Sequence, residues 1–253
     1  MDNKVFKEQL AKIGVELSDV QHRQLDRYFE ILVEWNEFMN LTGITEYDEV
    51  NQKHFVDSLV LQLPLRLLQN KKVKAEYENV LNKPDMKLID VGTGAGFPGL
   101  PIKIAYPEIN VVLLDSLNKR VKFLNEVIGQ LGLNEIAAVH GRAEEAARNK
   151  TFREQFDISV SRAVANLSSL VEYNLPFVRI GGYFVAYKSG NVDEEVEAAK
   201  KAVELLGGHI DAVCRYVLPD SDIERSLILI KKIKNTGGKY PRKAGMPTKE
   251  PIM

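Results

Sequence analysis

Residues 90–99 read DVGTGAGFPG, a glycine-rich run that begins in the last two residues of the mainly apolar stretch 87–91. The apolar stretch is typical of a buried strand, so the glycines are expected to form the turn at its carboxyl end. In a doubly wound α/β sheet, such a turn lets a nucleotide-like ligand approach the backbone where the strand order reverses. Residues 90–99 therefore predict both the class of fold and the place of a ligand site.

The sequence around this turn alternates between strand-like and helix-like patterns. The alternation indicates strands joined by helical crossovers, and hence a mostly parallel sheet covered on both faces. A turn-like connection at 219–222 joins the last two strand-like runs, which predicts an antiparallel hairpin at the sheet edge. The predicted fold is thus a doubly wound, seven-stranded α/β sheet. The strand-like runs are 87–91, 110–114, 136–140, 156–161, 182–187, 209–218 and 225–233, and the helix-like stretches lie near 99–106, 118–131, 142–150, 166–176 and 192–206.

The residues that precede the sheet are predicted to be helical. Ser18 can cap a helix whose apolar side chains recur at spacings of three and four from Leu25 to Met39. A second helix is expected from about 48 to 68, although Pro64 should kink or divide it.

Two segments flank the sheet region. Residues 70–84 are polar and weakly patterned, and we interpret them as a flexible connection, with a frayed helix as the alternative. The expected divisions are a helical extension with this connection over 1–84, a sheet domain over 85–233 and a basic tail over 234–253. Residues 231–253 carry seven lysines and arginines against one glutamate, whereas the whole chain has a formal net charge of −1. This distribution is compatible with phosphate contacts or with a solvated tail.

Composition narrows the class of protein. The chain has 253 residues, 45% of them hydrophobic and 27% charged, so it can bury a large core. A single cysteine, Cys214, excludes an internal disulfide and a cysteine-based metal cluster. The amino terminus lacks the apolar centre of a signal peptide, and no apolar run approaches the ~20 residues that span a bilayer. We therefore expect a cytoplasmic, monomeric protein with no metal and no membrane partner.

The glycine turn fits two classes of ligand. Gly94, Gly96 and Gly99 spell G-x-G-x-x-G, the pattern of dinucleotide-binding folds. Asp90 with Gly92 and the next two alternate glycines forms acidic-x-G-x-G-x-G, which is similar to the first motif of S-adenosylmethionine enzymes. A carboxylate beside the turn would repel a pyrophosphate but would favour the sulfonium and ammonium groups of S-adenosylmethionine. Asp90 therefore favours S-adenosylmethionine.

Two further acidic residues follow the next strands. Asp115 ends the second strand ~20 residues after the turn, where an acidic side chain can accept hydrogen bonds from both ribose hydroxyls. Glu144 follows the third strand, after the small residue Ala143, where the adenine of the ligand would lie. Glu144 could also simply favour the start of the next helix. Together the three carboxylates predict an S-adenosylmethionine site.

With these residues in place, the sequence resembles the RsmG (glucose-inhibited division protein B) family of 16S ribosomal RNA guanine-N7 methyltransferases. The resemblance runs from about residue 40 to the C-terminus. In one departure, Lys188 is followed by Ser189-Gly190, where many members have a glycine directly. The matching blocks are Asn40-Leu41-Thr42, His54 with Asp57-Ser58-Leu59, the whole turn from Asp90 to Gly99, Asp115-Ser116 with Lys119-Arg120 and Phe123-Leu124, Arg142-Ala143-Glu144, Ser161-Arg162-Ala163-Val164 and Tyr240-Pro241-Arg242-Lys243-Ala244-Gly245.

The resemblance implies a set of cofactor contacts. They fall on Gly92, Phe97, Ala143, Glu144 and Arg162, and on physical grounds we add Gly94 and Asp115. Arg162 should face the methyl-acceptor side of the sheet, where it could bind the cofactor carboxylate or hold the target nucleotide. It could also pair with a structural carboxylate.

The resemblance also implies 16S ribosomal RNA, or the small ribosomal subunit, as the substrate. Guanine N7 carries a free lone pair at neutral pH, so its methylation needs alignment rather than a general base. We therefore assign no catalytic residue and regard Arg162 as the best candidate for positioning. Cys214 lies outside any nucleophile motif and is interpreted as a packed thiol. The RNA-side candidates are Asn40, His54, Asp57, Lys188, Arg242 and Lys243.

Structural roles compete with several of these RNA contacts. His54 and Asp57 lie three residues apart, so they could orient the nucleotide or form a buried pair that ties the helices to the core. Asn40 could cap its helix or contact RNA. Arg242 and Lys243, on an extended tail, are our candidates for phosphate contacts.

Three alternative functions remain open at this point. The chain could methylate a small molecule or a protein, or it could be a non-catalytic RNA-binding module with a methyltransferase fold. A nicotinamide oxidoreductase is the third alternative, and cofactor binding would distinguish it.

Overall fold

The computed structural model describes residues 4–162 and 165–253, and within them seven strands form one sheet. The order across the sheet is β3-β2-β1-β4-β5-β7-β6. Strands β1 to β5 pair in parallel, and β7 pairs antiparallel with both β5 and β6. The predicted doubly wound sheet with an antiparallel edge is confirmed. The strands are β1 Lys87–Val91, β2 Asn110–Asp115, β3 Ile136–His140, β4 Phe156–Ser161, β5 Val178–Ser189, β6 Gly208–Val217 and β7 Glu224–Lys232.

The helices cover both faces of the sheet and the region before it. The strand order reverses between β1 and β4, so the carboxyl ends of these two strands mark the place where such sheets bind ligands. No described helix is long and apolar enough to cross a membrane. The helices are α1 Lys4–Ile13, α2 Asp19–Met39, α3 Tyr47–Val50, α4 Pro64–Leu67, α5 Lys71–Leu81, α6 Gly99–Ala105, α7 Asn118–Leu131, α8 Ala143–Ala146, α9 Leu167–Asn174, α10 Asp193–Leu205 and α11 Met246–Lys249.

Helix α2 ties the N-terminal region to the glycine turn. Ser18, the residue before its start, forms the predicted cap as a reciprocal pair with Gln21. Gln21 also donates to the carbonyl of Ile104 at 2.8 Å, which links the start of α2 to α6. Further along, the fully buried Tyr28 donates its hydroxyl to the carbonyl of Ala95 in the turn. The N-terminal helices and the sheet therefore share one apolar core.

The second predicted helix is broken earlier than expected. The chain leaves α-helical geometry at Asn51–Val56, which is a π-helix, and continues as a 3-10 turn over Leu59–Gln62 before α4 starts at Pro64. The prediction of one helix divided only at the proline is thus wrong. π-Helical turns are rare in proteins, and those that occur are often found at functional sites. This one contains Lys53 and His54.

Residues 71–81 form helix α5, so for this part of 70–84 the helical alternative is right and the flexible connection is wrong. Asn70 caps the helix by accepting from the backbone N–H of Lys72 at 3.0 Å. Val73, Tyr77 and Val80 are buried, and their spacings of four and three are those of a helix face. The polar residues between them hide this short apolar stripe.

The C-terminal residues pack on the sheet domain, which is contrary to the alternative of a solvated tail. Tyr240 is buried. Arg153 donates to the carbonyl oxygens of Thr236 at 2.7 Å and Tyr240 at 3.0 Å. These bonds hold the start of the segment beside the amino end of β4, at the end of the sheet opposite the ligand site.

Candidate functional site

The glycine turn after β1 is shaped by close packing. A Cβ atom on Gly99 would stand 2.4 Å from Cδ2 of Leu113 and 2.9 Å from Oδ2 of Asp90. Gly96 has a φ of +99°, and a Cβ there would lie 2.7 Å from the hydroxyl of Tyr28. Only glycine fits at these two positions, which explains why the turn is rich in this residue.

The side chain of Asp90 holds the turn by hydrogen bonds. Its side chain is fully buried, and its Oδ2 accepts from the Thr93 hydroxyl at 2.7 Å and from the N–H of Gly99 at 2.8 Å. Burial raises the pKa of Asp90 to about 6. Its Oδ1 is buried without a hydrogen-bond partner among the described residues, and its predicted interaction with a positively charged ligand stays a prediction. Its role in this structure is to hold the turn.

Asp115 connects β2 to the same turn. Its Oδ2 accepts from the N–H of Gly94 at 2.9 Å, and its Oδ1 accepts from the N–H of Leu117 at 2.9 Å. Nη1 of Arg120 lies 3.5 Å from the same Oδ2, and because a carboxylate has about four lone-pair sites, room remains for a further donor. The predicted contact with ribose hydroxyls stays a prediction.

A cavity of about 340 Å³ opens where β1, β2 and β4 end, and we call it the glycine-turn cavity. Three of the predicted cofactor residues line it, namely Gly92, Ala143 and Glu144. Gly245 and Thr248 also line this cavity. The sequence did not predict them as cofactor residues, because they lie about 100 residues after the lining residues of α8.

Glu144 joins these two parts of the chain. It lies in the first turn of α8 and is 5% exposed. Its Oε1 accepts from the backbone N–H of Gly245 at 2.7 Å. The favourable place of an acidic residue at a helix start is therefore combined with a specific long-range contact.

A second cavity, of about 370 Å³, lies beside the first, and we call it the Arg162 cavity. It brings together four residues singled out in the sequence, from three distant parts of the chain: His54, Asp57, Arg162 and Lys188. Arg225 at the start of β7 also lines it. Sequence reasoning missed Arg225, since a single arginine in an edge strand gives no signal.

Asp57 lies between two arginines in this cavity. Its Oδ2 is 3.0 Å from Nη1 of Arg162, and its Oδ1 is 3.1 Å from Nε of Arg225. The carboxylate is buried, whereas both guanidinium groups remain partly exposed. Arg162 also donates to the carbonyl of Lys53 at 3.2 Å and lies 5.0 Å from the centroid of the Phe97 ring. Arg162 thus does pair with a structural carboxylate, and it still faces the cavity.

His54 is held in one orientation by three neighbours. Its ring stacks on Phe97 with centroids 4.6 Å apart. Its Nδ1 lies 3.2 Å from Nη2 of Arg162, and its Nε2 lies 2.9 Å from the hydroxyl of Thr42. A guanidinium only donates hydrogen bonds, so Nδ1 accepts and Nε2 carries the proton. Burial, reinforced by the charge of Arg162, lowers the pKa of His54 to about 3, which makes the ring neutral at physiological pH.

Three other residues were predicted to contact RNA, namely Lys188, Asn40 and Lys243. Lys188 pairs with Glu195 at 2.7 Å on the wall of the Arg162 cavity. Asn40 is the left-handed C-cap of α2, so its predicted capping role is confirmed, while RNA contact stays a prediction. Lys243 is exposed, and its predicted phosphate contact also stays a prediction.

Arg242 does not extend into solvent as expected. Its guanidinium binds both carboxylate oxygens of Glu172, with Nη2 at 2.7 Å from Oε2, and the Glu172 side chain is fully buried. The side chain is thus held by a structural partner while it remains partly exposed, and its predicted phosphate contact stays a prediction. Ala163 and Val164, which belong to the block at 161–164, lie outside the described residues.

Comparisons with known proteins give one consistent result over the whole chain. The family model described as rRNA small subunit methyltransferase G matches residues 21–222. A protein of Lachnoclostridium phytofermentans named ribosomal RNA small subunit methyltransferase G is 52% identical, covering 100% of this chain and 98% of its own length. A protein of the same name from Alkaliphilus metalliredigens is 48% identical, covering 98% of both chains.

A solved structure adds a comparison of the fold alone. A crystal structure of a Pyrococcus horikoshii protein superposes with a TM-score of 0.50 at 14% sequence identity, covering 67% of this chain and 66% of that one.

Proposed function

This chain belongs to the rRNA small subunit methyltransferase G family, and from that premise we propose that it transfers a methyl group from S-adenosylmethionine to guanine N7 in 16S ribosomal RNA. One observation carries the proposal. Two cavities of similar size lie side by side at the carboxyl ends of the central strands, one beside the glycine turn and one beside Arg162. We propose that the first holds the methyl donor and the second the methyl acceptor.

The residues of the glycine-turn cavity fit S-adenosylmethionine. Nothing lies within 4 Å of the position that a Cβ would take on Gly92 or Gly94, so the backbone there is open to a ligand. Glu144 and Asp115 place carboxylates at the ends of the neighbouring strands, where they can accept hydrogen bonds from an adenosyl group. S-adenosylmethionine supplies an electrophilic methyl group on a sulfonium.

The Arg162 cavity has the charge that a nucleic acid requires. Two arginines, Arg162 and Arg225, share one carboxylate there, that of Asp57, whereas Lys188 is paired with Glu195. Partly exposed guanidinium groups bind phosphate oxygens well, because their planar forks donate two parallel hydrogen bonds. This excess of positive charge favours RNA over an uncharged small molecule.

The chemistry that we propose needs no general base in this cavity. The lone pair of guanine N7 attacks the methyl carbon as the carbon–sulfur bond breaks, and no proton has to leave N7. His54 is suited to positioning, since it is neutral and its accepting nitrogen already faces Arg162. The enzyme contributes by aligning the reacting atoms and by excluding water. Cys214 is buried on β6, and burial raises the pKa of its thiol to about 11, which disfavours a cysteine nucleophile.

The direct experiment measures transfer of a radiolabelled methyl group to small-subunit RNA from a strain that lacks this protein. Nuclease digestion and nucleoside chromatography then identify the methylated nucleoside. We expect the label in 7-methylguanosine, and we expect the variant Asp115→Ala to reduce it because Asp115 holds the turn through Gly94.

The same assay separates the alternatives. If the purified protein binds S-adenosylmethionine but labels neither RNA nor intact small subunits, the proposed RNA activity is wrong and a small-molecule or protein substrate is favoured. If the protein binds RNA but no S-adenosylmethionine, it is an RNA-binding module. Sedimentation of the active protein tests the further proposal that it acts as a monomer.

A further inference from the structure

The C-terminal segment 240–249 forms part of the wall of the glycine-turn cavity. Gly245 and Thr248 line the cavity opposite residues of α8 and α9. The N–H of Gly245 donates to Glu144 at 2.7 Å, and the hydroxyl of Thr248 lies 2.7 Å from that of Tyr173. Both partners, Glu144 and Tyr173, themselves line the cavity. The segment therefore touches the residues that we expect to hold the cofactor.

One ion pair anchors this segment to α9. The buried carboxylate of Glu172 receives the guanidinium of Arg242 and also its backbone N–H, which is 2.7 Å from Oε1. A second anchor is the hydroxyl of Ser169, which donates to the carbonyl of Pro247 at 2.7 Å. A buried carboxylate that loses its partner is costly, so the anchored position of the segment is favoured.

The rest of the segment is held weakly. Lys243, Ala244 and Gly245 are exposed, and α11 is a helix of only four residues. The buried apolar residues of the segment are Tyr240, Pro241 and Pro247, and only Tyr240 among them has a large side chain. Segments with little buried apolar surface open locally at a low cost in free energy.

We propose that residues 240–249 are a latch whose closure is coupled to occupation of the glycine-turn cavity. The proposal rests on the proposed use of S-adenosylmethionine by this chain. In the closed position, which the structure shows, the latch supplies one wall of the cavity and fixes Glu144. A cofactor that binds the closed form more tightly must in turn stabilise closure, and opening gives the product S-adenosylhomocysteine a way out. Arg242 is then a positioning residue that acts through Gly245 and Glu144.

Limited proteolysis of the unmodified protein tests the coupling. Trypsin can cut after Lys239, Arg242 and Lys243, and intact-mass spectrometry follows the loss of the C-terminal fragments. We expect saturating S-adenosylhomocysteine to slow these cuts by about tenfold. Equal rates of cleavage with and without bound S-adenosylhomocysteine would overturn the proposal.

Variants test the contribution of the latch to affinity. The double variant Glu172→Gln/Arg242→Gln removes the anchor without leaving an unpaired charge, and Thr248→Val is a milder variant that removes only the contact with Tyr173. We expect the double variant to weaken S-adenosylhomocysteine binding by about tenfold in calorimetry, and Thr248→Val to weaken it by a smaller factor. The control is Arg27→Gln/Glu30→Gln, which removes an exposed ion pair on α2. An unchanged dissociation constant in a folded latch variant would also contradict the proposal.

The outcomes separate the latch from the proposed function. A protein that binds S-adenosylhomocysteine with protection of its C-terminus, but labels no RNA, has the latch and lacks the RNA activity. A protein that methylates RNA with no change in C-terminal cleavage has the activity and lacks the latch.

Discussion

Ser161 and Arg162 are consecutive residues at the carboxyl end of β4, and they line two different cavities. Ser161 donates its hydroxyl to the carbonyl of Val91 at 2.9 Å, which joins β4 to β1 where the strand order reverses. Successive side chains of an extended chain point to opposite sides, so Arg162 turns toward Asp57. The peptide between the two residues thus marks the boundary at which a methyl donor and its acceptor would meet.

The glycine turn should be intolerant of a single added carbon at Gly99. We expect Gly99→Ala to lower the free energy of unfolding by about 1–3 kcal/mol, because its Cβ would overlap Leu113. The matched control is Gly129→Ala on the exposed face of α7, where nothing lies within 4 Å of the new carbon. The free energy of unfolding of this control should rise by about 0.5 kcal/mol, since alanine is the better helix former. Urea unfolding measures both, and equal effects would contradict the packing.

Asp90 should act as a hydrogen-bond acceptor below the turn. We expect Asp90→Ala to cost about 1–3 kcal/mol of unfolding free energy, because the Gly99 N–H loses its buried partner. Asp90→Asn keeps an acceptor and should cost less. If the two variants weaken S-adenosylhomocysteine binding to the same degree without loss of stability, Asp90 contacts the ligand instead.

Asp90 should also make stability depend on pH. Burial raises its pKa from 3.8 in the unfolded chain to about 6 in the folded one, so the folded state holds the proton more tightly. This group therefore favours folding most below about pH 4, and its contribution declines as the pH rises to about 6. The difference in unfolding free energy between the wild type and Asp90→Asn should follow this trend.

His54 should have the opposite dependence. Its pKa falls from 6.5 in the unfolded chain to about 3 in the folded one, so the unfolded state takes up the proton first. Its contribution is complete above about pH 6.5 and declines as the pH falls toward 3. Between neutral pH and pH 5.5, the unfolding free energy of the wild type should fall by about 1.4 kcal/mol more than that of His54→Gln. A gap that stays constant over this range would show that His54 is not a buried neutral ring.

Arg162→Lys tests whether the guanidinium aligns the acceptor. A lysine cannot reproduce the contacts with Asp57, His54 and the Lys53 carbonyl together. We expect kcat for RNA methylation to fall by about 100-fold through misalignment. The dissociation constant of S-adenosylmethionine should change little, because Arg162 lines the Arg162 cavity, where we place the methyl acceptor, and not the glycine-turn cavity. A loss of the same size in cofactor affinity would place Arg162 in direct contact with the cofactor, as the family resemblance implies.

The sequence predicted the sheet well because its strands and helices have distinct periodicities, and the turn at 90–99 is a local signal. It also placed Gly92, Ala143 and Glu144 on one cavity, since residues that follow parallel strands meet at one sheet edge. Helix α5 was missed because its three buried residues are spread among polar ones.

Long-range partners account for the remaining errors. Arg242 appeared free in the sequence, since nothing marks the buried Glu172, 70 residues earlier, as its counter-ion. Arg225 meets Asp57 across 168 residues of chain, so no local pattern connects them.

The most direct test of the two-cavity arrangement is to measure cofactor binding and RNA methylation on the same variant, Arg225→Gln. Calorimetry gives the dissociation constant of S-adenosylmethionine, and steady-state methylation of small-subunit RNA gives kcat/KM over a range of salt concentrations. We expect cofactor affinity to be unchanged, kcat/KM to fall, and the salt dependence of KM to weaken by about one unit of logarithmic slope, as for the loss of one phosphate contact. The control Arg27→Gln should change neither quantity. If Arg225→Gln weakens cofactor binding and leaves the RNA parameters unchanged, the assignment of the two cavities is contradicted.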